Sequence, residues 1–256
     1  MYQEERLVAI LEHLKQYGRI SVQELCKQFG VSRDTARRDL VKLDEKGVIL
    51  RTRGGAILPG LEREVKSYKE RLQDEPQSKG EIGRTAASMI RQGEHIIMDA
   101  STTVQAAANF LDAEDITVVT NSIDIACILA ERKSVSVHLL GGRLHSRHRY
   151  VFGAGTVDQL RNYRVNKVFL GASGINDEGL FYPCPEDGAV IRETLRCAEE
   201  VIVLADATKF GKCYFYRVCG WEDVDYLVTD LRPEGDLLKA LIQHQVEVVR
   251  KGHRSR

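Results

Sequence analysis

Charged residues are concentrated in the stretch VSRDTARRDL, residues 31–40, which contains three arginines and two aspartates. Stepping about 100° per residue along a helix places Ala36, Leu40 and Leu43 on one side and Arg38 on the opposite side. Such a helix packs through a narrow apolar seam and still presents cations outward. Guanidinium groups in that position are suited to phosphate oxygens and to DNA base edges, because arginine donates to guanine in a bidentate manner.

A second interpretation of the same charges stays open, in which the helix is merely solvated and its acids neutralise its arginines through pairs one turn apart. Arg33 and Arg37 flank the apolar seam, so contact with phosphate and pairing with Asp39 are both open to them. Asp39 itself is predicted to orient an arginine rather than to touch DNA, since phosphates repel a carboxylate.

The elements that precede this stretch favour the first interpretation. Apolar residues at helical spacing over 7–14 predict a first helix, which Gly18 ends. Ser21 and Glu24 form a capping box, which predicts the start of a second, short helix. Ser32 then follows a tight turn as the natural N-cap of the third helix, so the charged helix is the second helix of a helix-turn-helix.

The sequence after the third helix predicts a wing. Gly47 is placed to end the helix, and short β runs over 48–52 and 56–58 surround a glycine pair. Three helices and a two-stranded wing predict a winged helix-turn-helix DNA-binding domain over residues 1–58, with the helix-turn-helix at about 20–39. In that setting a wing arginine reaches phosphate or the minor groove. The predicted DNA-binding residues are Ser32, Arg33, Thr35, Arg37, Arg38, Lys42, Arg51 and Arg53.

The composition of the whole chain limits the class of protein to which it belongs. With 256 residues, 43% hydrophobic and 29% charged, the chain is long enough for two domains with sizeable cores. Its net charge is zero, but residues 1–58 hold 11 Lys+Arg against 8 Asp+Glu, so a mildly basic head precedes a mildly acidic body. No apolar run approaches a membrane span and the first residues lack the order of a signal peptide, so we expect a cytoplasmic protein with no membrane contact.

Cysteines and histidines do not form a metal-binding pattern. The six cysteines are scattered without a C-x-x-C pair, which argues against a disulfide framework and a zinc ribbon. His145 and His148 have metal-like spacing, but no carboxylate or thiol accompanies them, so neither a metal nor another cofactor is predicted. With Arg143, Arg147 and Arg149 they form a cationic loop, which is predicted to be a pocket lid or a subunit contact.

A polar linker over 59–75, for which a partly helical conformation stays open, leads into a second domain over 76–256. Helical patterns over 78–91, 122–132 and 186–198 alternate there with strand-like apolar runs, which predicts an α/β domain with a mainly parallel sheet covered on both faces. The predicted strands are 95–99, 116–120, 136–140, 167–171, 200–205, 226–229 and 246–250.

Polar or glycine-rich residues follow nearly every predicted strand, and we expect these tails to converge on one pocket, because ligands bind beyond the carboxyl ends of such strands. The tail over 99–103 ends a strand and opens a helix, where free N–H groups and hydroxyls form an anion site. The alternative, that Ser101 only caps the helix, stays open. Lys209 is placed to reach the same anion. A ligand that carries both a phosphate and several hydroxyl groups would form hydrogen bonds with all of these groups. The predicted ligand-binding residues are Asp99, Ser101, Thr102, Thr103, Asn121, Gly141, Gly142, Arg143, Gly171 and Lys209.

The motifs SRDTARRDLVKL and RTRGGA resemble the N-terminal domain of the DeoR-type bacterial transcriptional regulators. The segments GEHIIMDASTTV, VVTNS, LLGGRL, FLGASGI and VIVLADATKFGK are similar, in order, to segments of the effector domain of that family, so the resemblance covers nearly the whole chain. It implies an effector domain of the ribose-5-phosphate isomerase type that binds a phosphorylated sugar and forms oligomers. Two positions depart from the family pattern: Ser101 stands where glycine is frequent and Ile191 where lysine is frequent, with Arg192 as an alternative cation.

Three functional hypotheses follow. The preferred one is a repressor of carbohydrate uptake or catabolism genes that binds double-stranded operator DNA as a homodimer or homotetramer and responds to a phosphorylated sugar. The second is a sugar-phosphate isomerase or deaminase that uses Asp99, Glu186, Asp206 and Lys209, although a catalytic domain gains nothing from a recognition helix. The third is redox sensing through Cys213 and Cys219.

Overall fold

The structure is a computed structural model that describes residues 2–45, 48–52, 54–57, 65–251 and 253–255. Gly47, Arg53 and residues 59–64 of the predicted linker lie outside the described residues. The N-terminal domain consists of α1 (Gln3–Tyr17), β1 (Arg19–Ser21), α2 (Val22–Phe29), α3 (Arg33–Glu45), β2 (Leu50–Arg51) and β3 (Gly55–Ile57).

The three helices of this domain form as predicted. Gly18 ends α1 in the left-handed conformation, with φ of 80°, and Ser21 and Glu24 make the reciprocal hydrogen bonds of a capping box at the start of α2. Ile10, Leu25 and other apolar side chains pack with the seam of α3 into one small core. Helix α3 therefore buries one side and leaves the other in solvent.

The wing contains one more strand than predicted. The sheet order is β1-β3-β2, because the three residues after α1 pair with β3, with Ile20 opposite Ala56. A strand this short carries no alternation that a sequence pattern can detect. Gly55 permits the pairing, since a Cβ there would lie 2.0 Å from the carbonyl oxygen of Ile20.

The second domain is built around one large sheet. Its helices are α4 (Tyr68–Gln73), α5 (Pro76–Ala87), α6 (Thr102–Asn109), α7 (Ile123–Ala130), α8 (Ala154–Leu160), α9 (Pro185–Arg196) and α10 (Gly235–Gln243). Its strands are β4 (His95–Met98), β5 (Ile116–Thr120), β6 (Val135–Leu139), β7 (Arg143–His145), β8 (Tyr150–Phe152), β9 (Val165–Gly171), β10 (Gly174–Asn176), β11 (Gly179–Tyr182), β12 (Ala198–Leu204), β13 (Tyr216–Cys219), β14 (Tyr226–Val228), β15 (Glu247–Arg250) and β16 (His253–Ser255).

The large sheet has the order β6-β5-β4-β9-β12-β14-β15-β16, in which every neighbouring pair is parallel except β15 and β16. Alternate residues of each strand point into different cores: Ile97 packs on the side of α8, α9 and α10, whereas Ile96 and Met98 pack on the side of α5, α6 and α7. The sheet is buried on both faces, which explains the unbroken apolar runs and confirms the predicted α/β class.

The shorter strands were not predicted. They form the hairpin of β7 and β8 and the antiparallel sheet of β10, β11 and β13. No helix among the described residues has the length and apolar character that a bilayer crossing requires.

The order of the strands creates a crevice. From β4 the chain moves outward through β5 to β6, and it then returns to place β9 on the other side of β4. The connections leave β4 and β9 in opposite directions, so a space opens between the carboxyl ends of these two strands.

Candidate functional site

The exposed face of α3 carries cations without partners. The Ser32 hydroxyl accepts a hydrogen bond from the Thr35 N–H at 3.2 Å, which caps the helix as predicted. Arg33, Arg37 and Arg38 are exposed, and within the described part of the chain their side chains make no hydrogen bond or ion pair. Three free guanidinium groups on the second helix of a helix-turn-helix are suited to a DNA major groove.

Asp39 does not pair with an arginine of its own helix, contrary to one of the two interpretations above. Its fully buried carboxylate accepts hydrogen bonds from Arg6 Nε at 2.6 Å and from Gln3 Nε2 at 2.8 Å. The hydrogen bond to Asp39 raises the pKa of Arg6. Asp39 therefore attaches α3 to α1 and leaves Arg33 and Arg37 unpaired.

Two further predicted DNA-binding cations lie beside this face. Lys42 is exposed, but its Nζ donates to Gln3 Oε1 at 2.6 Å. Arg51 is exposed on β2, and Arg53 lies outside the described residues. The exposed face of α3 and the wing strand thus form the candidate nucleic-acid interface.

A partly open cavity of about 660 Å³ lies at the crevice between β4 and β9. Its walls come from the tails of β4, β5 and β9, from β8 and the turn before it, from the start of α9, and from α4. Of the predicted ligand-binding residues, Asp99, Ser101, Asn121 and Gly171 line the cavity.

Asp99 is the acidic group at the base of this cavity. One carboxylate oxygen accepts from the Ser101 N–H at 2.9 Å and the other from the Gly171 N–H at 3.0 Å. Burial raises the pKa of Asp99 to about 6, although both N–H groups favour the charged form. Asp99 joins the two strand tails and is placed to accept a hydrogen bond from a ligand hydroxyl.

The start of α6 is capped by its own serine. Ser101 Oγ accepts from the Val104 N–H at 3.0 Å, which is the alternative that the sequence left open. Thr102 and Thr103 are buried within the helix and do not line the cavity. Asn121 lines the cavity, and its side-chain amide donates to the Val151 carbonyl at 3.1 Å, which attaches β5 to the β7–β8 hairpin.

Arg71 is the cavity residue that the sequence did not reveal. It lies on α4, in the segment predicted as a linker, and its Nε is buried without a hydrogen-bond partner among the described residues. Burial lowers its pKa, while the charge of Asp99 acts in the opposite direction. The capping box of Ser67 and Glu70 was the available signal for α4, with Arg71 one helical turn after the apolar Tyr68.

His148 brings a neutral imidazole to the cavity. Burial, together with the charge of Arg71, lowers its pKa to about 4. The Nδ1 atoms of His148 and His145 are buried without hydrogen-bond partners in the described residues, and their rings lie 4.5 Å apart between centroids. Next to them, the Tyr150 hydroxyl donates to Asp187 at the start of α9. Of the loop that was predicted to be a pocket lid or a subunit contact, His148 lines the cavity.

The other strand tails do not reach this cavity. Gly141 and Gly142 pack on α8, and a Cβ at Gly142 would lie 2.3 Å from the Thr156 hydroxyl. Arg143 is exposed and stacks on Phe152, with 5.4 Å between its guanidinium carbon and the ring centroid. Lys209 follows β12, beyond β9, and does not line the cavity. The expected convergence of all tails on one pocket was wrong: the tails of β4, β5 and β9 line this cavity, whereas those of β6 and β12 do not.

Arg192 does not replace the lysine that is frequent in the family at position 191. Its Nε donates to the Val218 carbonyl at 3.1 Å, and its guanidinium carbon lies 4.7 Å from the Tyr216 ring centroid. Ile191 lines the cavity, so an apolar group occupies this part of the wall.

The comparison with known proteins agrees with this geometry. Residues 6–60 match the DeoR-like helix-turn-helix domain, and residues 74–231 match the DeoR C terminal sensor domain. The chain belongs to the DeoR family. It is 46% identical to the HTH-type transcriptional repressor GlcR of Bacillus subtilis (strain 168), over 97% of this chain and 96% of that protein.

A second sequence relative is also a repressor. The chain is 30% identical to the glycerol-3-phosphate regulon repressor of Escherichia coli (strain K12), over 97% of this chain and 99% of that protein.

The chain is also similar to a solved structure of ribose 5 phosphate isomerase A from Neisseria gonorrhoeae, with a TM-score of 0.38 and 15% identity over 52% of each chain.

This DeoR-family protein is a transcriptional repressor rather than an enzyme, because it has the DeoR-like helix-turn-helix domain and the two relatives above, matched over nearly their whole length, are named as repressors. The hypothesis of an isomerase or deaminase is thereby set aside. Membership of the family implies operator DNA and a small-molecule effector as partners. The redox hypothesis finds no support, since burial raises the pKa of Cys213 to about 11 and that of Cys219 to about 12, which disfavours the reactive thiolates.

Proposed function

We propose that this DeoR-family repressor controls genes of carbohydrate uptake or catabolism, and that a phosphorylated sugar in the cavity modulates its binding to operator DNA. Residues 1–58 bind DNA, and residues 59–75 connect the domains and contribute Arg71 to the effector cavity. Residues 76–256 form the rest of that cavity and assemble into a homodimer or homotetramer. A dimer is the minimum that two symmetric operator half-sites require.

The observation that carries the proposal is the Arg71 guanidinium at the cavity, with Nε buried and unpaired among the described residues. A buried charge is normally paired or hydrogen-bonded, so a ligand anion is the natural partner. A phosphoryl group suits arginine in particular, because its oxygens accept two parallel hydrogen bonds.

The rest of the cavity supports a polyhydroxylated ligand. Asp99 is an acceptor for hydroxyl groups, and His148 contributes an uncharged ring nitrogen. Val190 and Ile191 supply an apolar wall for the carbon skeleton. A relative named as a glycerol-3-phosphate regulon repressor supports the same chemical class.

The DNA side of the proposal depends on the exposed cations of α3. We assign base reading to Arg38, which faces away from the buried Ala36 and Leu40, and phosphate contacts to Arg33, Arg37, Ser32 and Arg51. Thr35, Lys42 and Arg53 complete the proposed interface.

A thermal-shift screen tests the effector class. The full chain is heated with glycerol 3-phosphate, ribose 5-phosphate, fructose 6-phosphate or glucose 6-phosphate, and each unphosphorylated compound is the matched control. A ligand that binds the folded state raises the Tm, so at least one phosphate ester is expected to raise it above its control and to change binding to the upstream region of the gene. Equal shifts with the unphosphorylated compounds would refute the phosphate assignment.

A further inference from the structure

Helix α4 lies between the two parts of the chain that match the family, since one match ends at residue 60 and the other begins at 74. It packs on the sensor domain through Tyr68, which is 5% exposed. The Tyr68 N–H donates to the Arg147 carbonyl at 3.2 Å, and its hydroxyl donates to Gln105 on α6. Helix α4 is therefore docked on the wall of the cavity.

The far end of α4 is held by α5. The buried Lys79 ammonium donates to the carbonyls of Arg71 and of Asp74, the latter at 2.6 Å. Most other side chains of α4 face solvent, including Lys69 and Leu72. A helix of six residues is not stable alone, so these few contacts determine whether α4 stays in place.

Buried polar atoms lack hydrogen bonds where α4 meets the turn before β8. Three buried side-chain atoms lack hydrogen-bond partners among the described residues, and they are Arg71 Nε, His145 Nδ1 and His148 Nδ1. Arg71 and His148 both line the cavity. Buried polar groups are nearly always hydrogen-bonded, so two exceptions on cavity-lining residues, with a third on the adjacent His145, indicate that a bound molecule supplies the missing hydrogen-bond partners.

We propose that α4 is a ligand-operated clamp: an anion in the cavity accepts hydrogen bonds from Arg71 and His148 and thereby holds the connecting helix on the sensor domain. This inference rests on the proposed function and adds its regulation. The chain runs from α4 towards the DNA-binding domain, so a ligand that fixes α4 restricts the positions which that domain adopts. A ligand shifts a conformational equilibrium only if it binds one of the two conformations more tightly. Here the ligand contacts Arg71 only when α4 is docked, so it favours the docked conformation.

Hydrogen exchange on the full chain tests the clamp. The probes are inorganic phosphate, as the fragment common to all candidates, and the four phosphate esters named above. The expected result is slower exchange of the amides of 68–74, on the order of tenfold, in the range usual for coupled sites. A ligand that raises the Tm of the wild type while these amides exchange at an unchanged rate overturns the inference and leaves the proposed function standing.

Variants at Arg71 separate a ligand contact from a structural role. Arg71→Met keeps the apolar stem and removes the guanidinium, so the unliganded Tm is expected to stay equal or to rise, while the response to the probes is lost. Lys69→Met removes an exposed cation from the same helix and is the matched control, with an unchanged response. Arg71→Lys keeps the positive charge but lacks the planar guanidinium that donates two parallel hydrogen bonds, and it is expected to respond weakly to the probes.

The outcomes distinguish the two proposals. Full responses in both Arg71 variants overturn the clamp and remove Arg71 as the phosphate contact, while the effector class, which the response of the wild type tests, still stands. A wild type that responds to no probe, in Tm or in exchange, overturns both the clamp and the proposed effector class.

Discussion

Charged side chains in this repressor divide according to whether the fold provides a partner for them. Asp39 and Arg6 are buried together and join two helices, although the stretch around Asp39 suggested a surface role. Arg38 is exposed without a partner, and Arg71 Nε at the cavity wall has no hydrogen-bond partner, in both cases within the described residues. The unpaired groups are the ones assigned to ligands.

Arg38→Ala is expected to weaken binding to the natural upstream DNA by about 1–3 kcal/mol, or roughly 5- to 150-fold, if the guanidinium reads a base. Fluorescence anisotropy measures the loss on this DNA and on random duplex. Lys133→Ala, which removes an exposed cation from the other domain, is the control and leaves binding unchanged. An equal loss on both DNAs would instead assign Arg38 to phosphate.

Asp99 gives the cavity a defined pH dependence. Burial raises its pKa from the ordinary value of 3.8 to about 6, so the folded chain binds this proton more tightly than the unfolded chain does. Stability from this group therefore increases as the pH falls from above 6 to below 4. The Tm of the wild type minus the Tm of Asp99→Asn is therefore expected to increase as the pH is lowered through this range. A difference that is constant with pH would contradict the assignment.

Strand tails rather than strands build the cavity, and two of them meet in close contact. A Cβ at Gly171 would lie 2.2 Å from the Cβ and 2.3 Å from the Oγ of Ser101, and the third nearest atom would be the Ser101 Cα at 3.7 Å. The serine that departs from the family pattern thus requires the glycine on the neighbouring tail. Neither residue shows this requirement in the sequence, because they lie on different strands.

Gly171→Ala is expected to destabilise the sensor domain by about 1–3 kcal/mol, as overpacking does. Ser101→Gly removes the clashing side chain and loses only a few tenths of a kcal/mol as a helix cap. The double variant should therefore recover most of the stability, which urea unfolding of both single variants and the double variant measures. Additive losses in the double variant would show that the clash lies elsewhere.

Elements with strong local patterns were predictable. The buried strands of the large sheet were found within about two residues because each is a continuous apolar run with helices on both sides. Strands β1, β7 and β10 were missed because each has three residues and is defined by its pairing partner. Helix α4 was treated as linker because most of its surface is polar.

At the scale of the whole molecule, the two domains make weak direct contact at Arg19, whose guanidinium lies 3.7 Å from the Asp177 carboxylate with both side chains nearly half exposed. Exposed ion pairs contribute little to stability. The connecting segment is therefore the better candidate for transmitting the state of the cavity to the DNA-binding domain.

Coupling between the two sites must be reciprocal. If an effector changes operator affinity by a given factor, operator DNA is expected to change effector affinity by the same factor, in the usual range of about 5- to 150-fold. Calorimetric titration of the effector into the free repressor and into the repressor–operator complex measures this factor. A titration into repressor mixed with random duplex is the control. Equal effector affinity in all three titrations would exclude allosteric control through this cavity.

The sequence alone determined the helix-turn-helix, the parallel α/β sheet and the family, because capping residues, apolar periodicity and consecutive motifs are local properties of the chain. The tertiary structure decided which residues meet. It joined Asp39 to Arg6, brought Arg71 to the cavity and left Lys209 and Arg143 outside it. These outcomes depend on strand order and on contacts between residues far apart in the chain, and local patterns carry no information about either.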